Sequence, residues 1–206
     1  MTGGRFSNLN PRRATLACLG LLLAQVLTAA VPVRAADPVE KRYAETCATC
    51  HGPTGQSEMA EIPSMGGQTA PYTLIQLYMF RGHLRTFPLM NEAVKDFTDD
   101  DLRTFSDFIA KLPPPKPVTE PADAARMARA KPMISAYKCD FCHNGDLAGR
   151  ENVPRIAGQR EDFLLKTLRE YKSNVRSGYD SSMADVLARI SDEDLADLAY
   201  YSARQP

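Results

Sequence analysis

The sequence predicts an all-α protein that contains two tandem copies of one small helical unit. Apolar residues recur at helical spacing through most of the chain, whereas no segment shows the alternating pattern and hairpin turns of β-strands. Similar segments recur about ninety residues apart, which indicates an internal duplication. A proline-rich stretch separates the two copies.

The first 36 residues have the composition of a secretory signal peptide. Arg5, Arg12 and Arg13 precede an apolar run at residues 14–31, and the small residues at 33–36 offer a cleavage site. A retained membrane anchor is the alternative, but the apolar run is only borderline in length for a spanning helix. We therefore expect cleavage here and export from the cytoplasm.

Equivalent positions in the two copies are separated by 91 to 93 residues. The pairs are Cys47 and Cys139, Pro63 and Pro154, Met90 and Met183, and Thr98 and Ser191. Between the copies, residues 113–121 hold five prolines, a density that ends helices and strands and favours an extended, semi-rigid spacer. After the signal peptide at 1–36 we therefore predict domains at 37–112 and 122–206, joined by a linker at 113–121.

Each helix of the first copy follows from a local pattern. Val39, Tyr43 and Cys47 share one helical face, and residues 72–81 form a second apolar helix. Thr98 is an N-cap candidate, and the three aspartates after it complement the dipole of a last helix. The inward stripe of that helix is formed by Leu102, Phe105, Phe108 and Leu112.

The second copy repeats these elements. Pro132 is expected to start or kink the helix that leads to Cys139, and residues 163–168 match the second helix. Ser191 is the equivalent N-cap. The apolar stripe that follows it is formed by Leu195, Leu198 and Tyr201.

Each copy contains the pentapeptide Cys-x-x-Cys-His, the attachment signature of c-type haem. The two occurrences are Cys47-Ala-Thr-Cys50-His51 and Cys139-Asp-Phe-Cys142-His143. In this chemistry the thiols form thioethers with the two vinyl groups of one porphyrin, and the histidine ligates its iron. We therefore expect two covalently bound haem c groups, with His51 and His143 as axial iron ligands. The apolar porphyrins of the two haem groups would complete the hydrophobic cores, because units of this length are small for a core of protein side chains alone.

Two other uses of a cysteine pair fit less well. A zinc site normally brings two such pairs within about 15–20 residues, which is far less than the separation here. A thioredoxin-like site would need a neighbouring βαβ pattern, and none is evident. The fifth cysteine, Cys18, lies in the expected signal peptide, so the mature chain has no thiol left for a disulfide.

The second axial ligand decides what each iron does, because an open position allows small-ligand binding whereas a side chain favours electron transfer. Met90 and Met183 each stand eight residues before an acid-capped helix, in segments that we expect to be loops. A thioether ligand there raises the reduction potential. We predict both methionines as axial ligands. The alternatives are core packing for a single methionine and His83 as ligand of the first iron.

Pro63 and Pro154 follow the two motif histidines by 12 and 11 residues. A carbonyl at such a position could accept a hydrogen bond from the imidazole Nδ1–H, which would fix the ring and raise its basicity as a ligand. The alternative is a simple turn proline.

Charge bears on the class of partner. The chain has 25 basic and 25 acidic residues, but four arginines and no acids lie in the first 36 residues. The mature chain therefore keeps 21 basic against 25 acidic side chains, a net charge of −4. This balance argues against nucleic acid as a partner and allows steering toward a positively charged protein surface.

The two haem motifs, the paired methionines and the acid-capped helices resemble those of the diheme cytochrome c4 family of class I cytochromes c. The resemblance extends across the whole mature chain. The resemblance implies two class I domains related by pseudo-twofold symmetry, with haem propionate edges facing across their interface. It also implies a periplasmic electron carrier, soluble or loosely membrane-associated, that delivers electrons to a terminal oxidase or a similar redox partner. The prolines would offer their carbonyls as described. Met65-Gly66 and Asn144 depart from the usual pattern.

Three functional hypotheses follow. The first is a non-catalytic electron carrier in which two matched His/Met irons change oxidation state without bond making. The second is a haem-carrying subunit of a larger dehydrogenase, which differs only in having a permanent partner. The third is a diheme peroxidase or a gas sensor, which requires one open iron and is disfavoured by the matched methionines.

Overall fold

The computed structural model describes residues 1, 3, 38–176 and 181–206 of the chain. The predicted signal peptide and its cleavage site lie outside the described residues. Residues 36–206 form one compact unit. The described part of this unit is helical, and its only strand-like pairing is an isolated bridge between Arg150 and Val153. Within the same residues, no helix combines the length and hydropathy needed to cross a bilayer.

Five helices lie in each half of the described chain, where the N-terminal half means residues 38–112 and the C-terminal half residues 122–206. The N-terminal half contains α1 (Pro38–Thr46), α2 (Ala48–His51), α3 (Ala70–Arg81), α4 (Pro88–Val94) and α5 (Asp99–Lys111). The C-terminal half contains α6 (Ala124–Ala136), α7 (Cys139–His143), α8 (Glu161–Lys172), α9 (Ser182–Leu187) and α10 (Asp192–Ala203).

The two halves pack their helices in the same way. Helices α1 and α3 contact α5, as α6 and α8 contact α10, while α4 rests on α3 and α9 on α8. Each half therefore has its own apolar core. The N-terminal core contains Tyr43, Leu77, Phe80, Val94, Phe97, Leu102, Phe105 and Ile109. The C-terminal core contains Ile134, Leu147, Ala157, Leu187, Ile190, Leu195 and Leu198.

Side-chain caps explain where α5, α6 and α10 begin. The hydroxyl of Thr98 accepts from the Asp101 amide at 3.1 Å, and the Asp101 carboxylate accepts from the Thr98 amide at 2.9 Å, which completes a capping box at α5. Ser191 caps α10 through the Asp194 amide at 3.0 Å. Pro132 lies inside α6 and does not start it, because α6 begins earlier, at the cap of Asp123.

The proline-rich segment is extended but not detached from the helices. The amide of Lys116 donates to Gln56 Oε1 at 3.2 Å, and the amide of Val118 donates to the Ala203 carbonyl at 3.0 Å. These bonds join the segment to both halves. Residues 113–121 thus form a strap along the folded unit, and the predicted domain boundaries at its ends stay a prediction.

Candidate haem-binding sites

Both motif histidines are buried and contact the carbonyl of their predicted proline. His51 Nδ1 lies 2.9 Å from the Pro63 carbonyl oxygen, and His143 Nδ1 lies 2.7 Å from that of Pro154. A carbonyl oxygen can only accept a hydrogen bond, so the ring nitrogen is the donor in this contact. The proton is therefore on Nδ1, and the Nε2 lone pair is left for a metal. Burial lowers the pKa of both imidazoles, which favours the neutral, ligating form.

One short helical turn places each cysteine pair beside its histidine. Cys47 directly precedes α2, which ends at Gly52 with a φ of 81°. A side chain at Gly52 would place its Cβ 2.0 Å from the Gln56 carbonyl oxygen, so glycine is required there. In the C-terminal half the equivalent turn uses Asn144 at φ 67°, a conformation that asparagine tolerates better than most residues. Its side-chain amide donates to the Gly149 carbonyl at 2.6 Å.

No disulfide joins any of the four motif cysteines. Burial raises the pKa of Cys47 and of Cys139 to about 11, so both are protonated at neutral pH. A reactive redox cysteine has a lowered pKa in an electropositive environment, whereas the pKa of each of these two thiols is raised by burial. Among the described residues, no group of three or more His, Cys, Asp or Glu side chains could hold a metal ion by itself.

A single cavity of about 800 Å³ brings the predicted site residues together. Its wall is mostly apolar and runs through both halves. The predicted residues on this wall are Cys47, Cys50, His51, Pro63 and Met90 from the N-terminal half, and Cys139, Cys142, His143, Pro154 and Met183 from the C-terminal half.

Met90 and Met183 lie in short helices, and the expectation of loops at these positions is wrong. Met90 belongs to α4, which begins with Pro88, a residue whose fixed φ suits the first turn of a helix. Met183 belongs to α9. Both side chains are half-buried on the cavity wall. His83, the alternative ligand, is exposed on the turn after α3 and is not among the residues that line the cavity.

This arrangement fits haem c. In each half, thiols for two thioethers, a neutral imidazole and a thioether sulfur line the shared, largely apolar cavity, and this donor set is that of a His/Met cytochrome. Iron(II) and iron(III) porphyrins accept both nitrogen and soft sulfur ligands, whereas zinc would require further protein donors at each cysteine pair.

Two glutamines connect the halves at this cavity. The side-chain amide of Gln68 makes two bonds to Arg155, accepting from its N–H at 2.7 Å and donating to its carbonyl at 3.1 Å. Gln159 makes the same pair with Ser64, at 2.8 and 2.7 Å. Sequence analysis assigned no role to these glutamines, which occupy equivalent positions in the two copies. These equivalent positions were the signal available in the sequence. They do not reveal the hydrogen-bond partner of either glutamine.

Comparisons with known proteins agree with this site. The sequence profile described as "Cytochrome C oxidase, cbb3-type, subunit III" matches residues 34–109. Cytochrome c4 from Azotobacter vinelandii is 26% identical over 178 residues, which cover 77% of this chain and 83% of that protein. The cytochrome subunit of sulfide dehydrogenase from Chlorobaculum tepidum is 30% identical over 105 residues, which cover 47% of this chain and 94% of that protein.

The fold also matches a solved structure. Reduced recombinant cytochrome c4 from Pseudomonas stutzeri superposes with a TM-score of 0.74 at 22% identity, and the match covers 84% of this chain and 100% of that one. The predicted all-α fold of two tandem cytochrome c domains is confirmed by this match. Together with the two Cys-x-x-Cys-His sites, these similarities establish that the chain is a c-type cytochrome with two covalently bound haem c groups, and that it belongs to the diheme cytochrome c4 family.

Proposed function

We propose that this protein transfers single electrons between redox proteins of a bacterial periplasm, with His51 and Met90 ligating one iron and His143 and Met183 the other. The observation that carries the proposal is the matched construction of the two sites. Each has a buried histidine bonded to a proline carbonyl and a methionine on the same cavity wall. Two sites with both axial positions filled suit electron transfer and leave no iron open for catalysis.

The chain contributes rigidity and a low dielectric constant. When bound, haem c supplies reversible one-electron chemistry. The proline carbonyls hold the imidazole planes, and the short helices α4 and α9 hold the methionine sulfurs, so the ligand geometry need not change with oxidation state. Apolar residues of both cores exclude water from the cavity, which limits the solvent reorganisation that accompanies each transfer.

Each half would carry one haem, so we assign the electron-transfer domains to residues 37–112 and 122–206, with 113–121 as the segment between them. The leader at 1–36 would direct the chain to the periplasm and would then be cleaved. Covalent haem attachment in that compartment is consistent with such export.

A second candidate is a permanent haem subunit of a dehydrogenase, and the similarity to a sulfide dehydrogenase cytochrome subunit favours it. The haem chemistry is the same in both cases. Purification from the native periplasm separates them, because a subunit elutes with a catalytic partner at constant stoichiometry and a free carrier elutes alone.

The test of the main proposal is optical. The expected result is two low-spin haems per chain. The far-red charge-transfer band of methionine-ligated ferric haem should have twice the intensity per chain of a one-haem standard. Carbon monoxide should not bind the ferrous protein at neutral pH. A high-spin fraction in the oxidised protein, or carbon monoxide binding at one haem, would overturn the carrier assignment and favour a peroxidase or a sensor.

A further inference from the structure

Two arginines that sequence analysis did not single out occupy equivalent places on the cavity wall. Arg85 and Arg176 are 91 residues apart, the same separation as Pro63 and Pro154. Arg85 follows α3 and Arg176 follows α8, and both line the cavity that holds the cysteine pairs.

Their immediate contacts are repeated as well. Arg85 Nη1 donates to Gln76 Oε1 at 2.6 Å, and Arg176 Nη1 donates to Thr167 Oγ1 at 3.2 Å, each to the residue nine positions earlier. The Arg85 guanidinium lies 4.4 Å from the centre of the Phe80 ring. The Arg176 guanidinium lies 5.1 Å from that of Tyr171, the repeat partner of Phe80. Two copies of one contact pattern indicate a built site rather than two stray surface cations.

The two arginines are short of negative charge. Arg176 is only 7% exposed. Burial, followed by the positive charge of Arg176, lowers the pKa of Arg85 to about 10, so the two guanidinium groups are close enough to repel. Within residues 38–176 and 181–206, the carboxylate of Glu170 is the only ion-pair partner of either, at a distance of 3.9 Å from Arg176 Nη1. One distant carboxylate does not compensate two cations in a largely apolar cavity.

We propose that Arg85 and Arg176 form a carboxylate-binding site for the propionate groups of the two haems. The inference rests on the proposed function, since it requires haem in both halves. A haem c brings two carboxylates into the same cavity, and a planar guanidinium binds a carboxylate through two parallel N–H donors. One Nη of each arginine donates to Gln76 or Thr167, and Arg176 Nη2 also donates to the Tyr72 hydroxyl at 3.4 Å. All three partners line the cavity, so these bonds hold both guanidinium groups at its wall.

The experiment uses the full-length holoprotein and four variants, R85Q, R176Q, R85K and R176K. The matched control is R103Q, which removes an arginine whose partner is the exposed carboxylate of Asp100. Midpoint potentials are measured by spectroelectrochemistry, and the propionate bending modes are measured by resonance Raman spectroscopy. The lysine variants keep the charge but lose the two-donor geometry. They replace a glutamine variant in the test if that variant does not accumulate as holoprotein.

Loss of either guanidinium leaves a propionate charge uncompensated, which stabilises ferric haem. We expect R85Q and R176Q to lower the reduction equilibrium constant of at least one haem about tenfold, equivalent to about 59 mV for one electron. A propionate Raman mode should shift in the same variants and in the lysine variants, and R103Q should change neither quantity.

Free phosphate shares the chemistry of a carboxylate, so the wild-type potentials are also compared in phosphate and in chloride at equal ionic strength. We expect no difference. A phosphate-dependent potential that disappears in R85Q would assign the site to a free anion and overturn the proposal. Raman modes that stay unchanged in all four variants would overturn it too. In either case two low-spin haems with the methionine charge-transfer band would leave the proposed function intact.

Discussion

Gln159 of the C-terminal half is linked to His51 of the N-terminal half through one peptide unit. The Gln159 side chain holds both main-chain polar groups of Ser64, at 2.8 and 2.7 Å. Ser64 directly follows Pro63, and the Pro63 carbonyl accepts from His51 Nδ1 at 2.9 Å. The position of the imidazole in one half therefore depends on an amide supplied by the other.

The reverse link has the same form. Gln68 holds the main chain of Arg155, which follows Pro154, and the Pro154 carbonyl contacts His143 at 2.7 Å. Each half thus orients the motif histidine of its neighbour. This reciprocity ties the two halves together at the points where a small displacement would be felt by a metal centre.

Replacement of Gln159 by leucine should act across the halves. Leucine keeps the volume but removes both hydrogen bonds and leaves the buried amide and carbonyl of Ser64 unpaired, at a cost of about 2 kcal/mol. We expect a lower free energy of unfolding of the holoprotein. The hyperfine-shifted proton resonances of the N-terminal haem should move more than those of the C-terminal haem.

The matched control for this variant is Gln56→Leu, which removes a single exposed hydrogen bond to the Lys116 amide. It should leave the resonances of both haems in place. Changes confined to the C-terminal haem in Gln159→Leu would show that the glutamine acts on its own half and would contradict the link to His51.

Local patterns predicted much of the fold because their causes are local. The cap at Thr98 and the stripe through Leu102 and Phe105 need only neighbours in sequence, and the structure has both. The spacing of His51 and Pro63 also lies within one short loop. By contrast, the partner of Gln159 is 95 residues away, and no helical periodicity encodes which main chain an amide will meet.

The sequence predicted neither the helix at Met90 nor the docking of the strap, for related reasons. The expectation of a loop at Met90 overlooks Pro88, which suits a first helical turn and starts α4. The proline-rich segment was expected to act as a spacer, since proline excludes helix and strand. Its docking depends on glycines and amides far away in the sequence, which pattern analysis does not pair.

Removal of either methionine should open one iron. Met90→Ala or Met183→Ala deletes the thioether while both cysteines and the histidine of the same site remain, so covalent attachment should persist. We expect half of the far-red charge-transfer intensity to disappear and carbon monoxide to bind one ferrous haem per chain. Met79→Leu is the control, because Met79 is a buried residue of α3 that does not line the cavity. A wild-type spectrum in both alanine variants would reject the ligand assignment.

Acid should weaken the N-terminal half through Asp101. A side-chain hydrogen bond from Arg42, helped by the Thr98 amide, lowers the pKa of Asp101 from 3.8 to about 2. Because the folded pKa is the lower one, this stabilisation is complete above pH 4 and disappears as the pH falls toward 2. Arg42 also lies 5.3 Å from the Phe97 ring centre and 5.1 Å from that of Phe105, so the pair joins α1 to the core under α5.

The Asp101→Asn variant should therefore be less stable than the wild type by about 1 kcal/mol at pH 7, since it loses the ion pair and part of the capping box. Denaturant unfolding at several pH values is the measurement, and the difference should shrink between pH 4 and pH 2. Asp100→Asn is the control, because Asp100 lies in the same helical turn and, among the described residues, pairs only with Arg103 at the surface. A constant difference across this pH range would exclude a role for Asp101 ionisation.

Gly66 should tolerate no side chain, because the strap passes directly over it. A Cβ at Gly66 would lie 2.1 Å from the Pro113 carbonyl oxygen and 3.0 Å from that of Thr54, and both are main-chain atoms that cannot rotate away. Gly66→Ala should therefore lift the strap and destabilise the holoprotein by about 1–3 kcal/mol, the usual cost of overpacking. The equivalent position in the other half is a fully buried alanine, Ala157, so the restriction arises from the path of the strap and not from the haem site.

Limited proteolysis of the Gly66→Ala holoprotein measures this directly, since a lifted strap exposes residues 113–121 to cleavage. Gly145→Ala is the matched control, because a Cβ there would meet no atom within 4 Å. Faster cleavage in Gly66→Ala with unchanged haem spectra is the expected outcome. Equal cleavage rates in the two variants would contradict the predicted displacement of the strap.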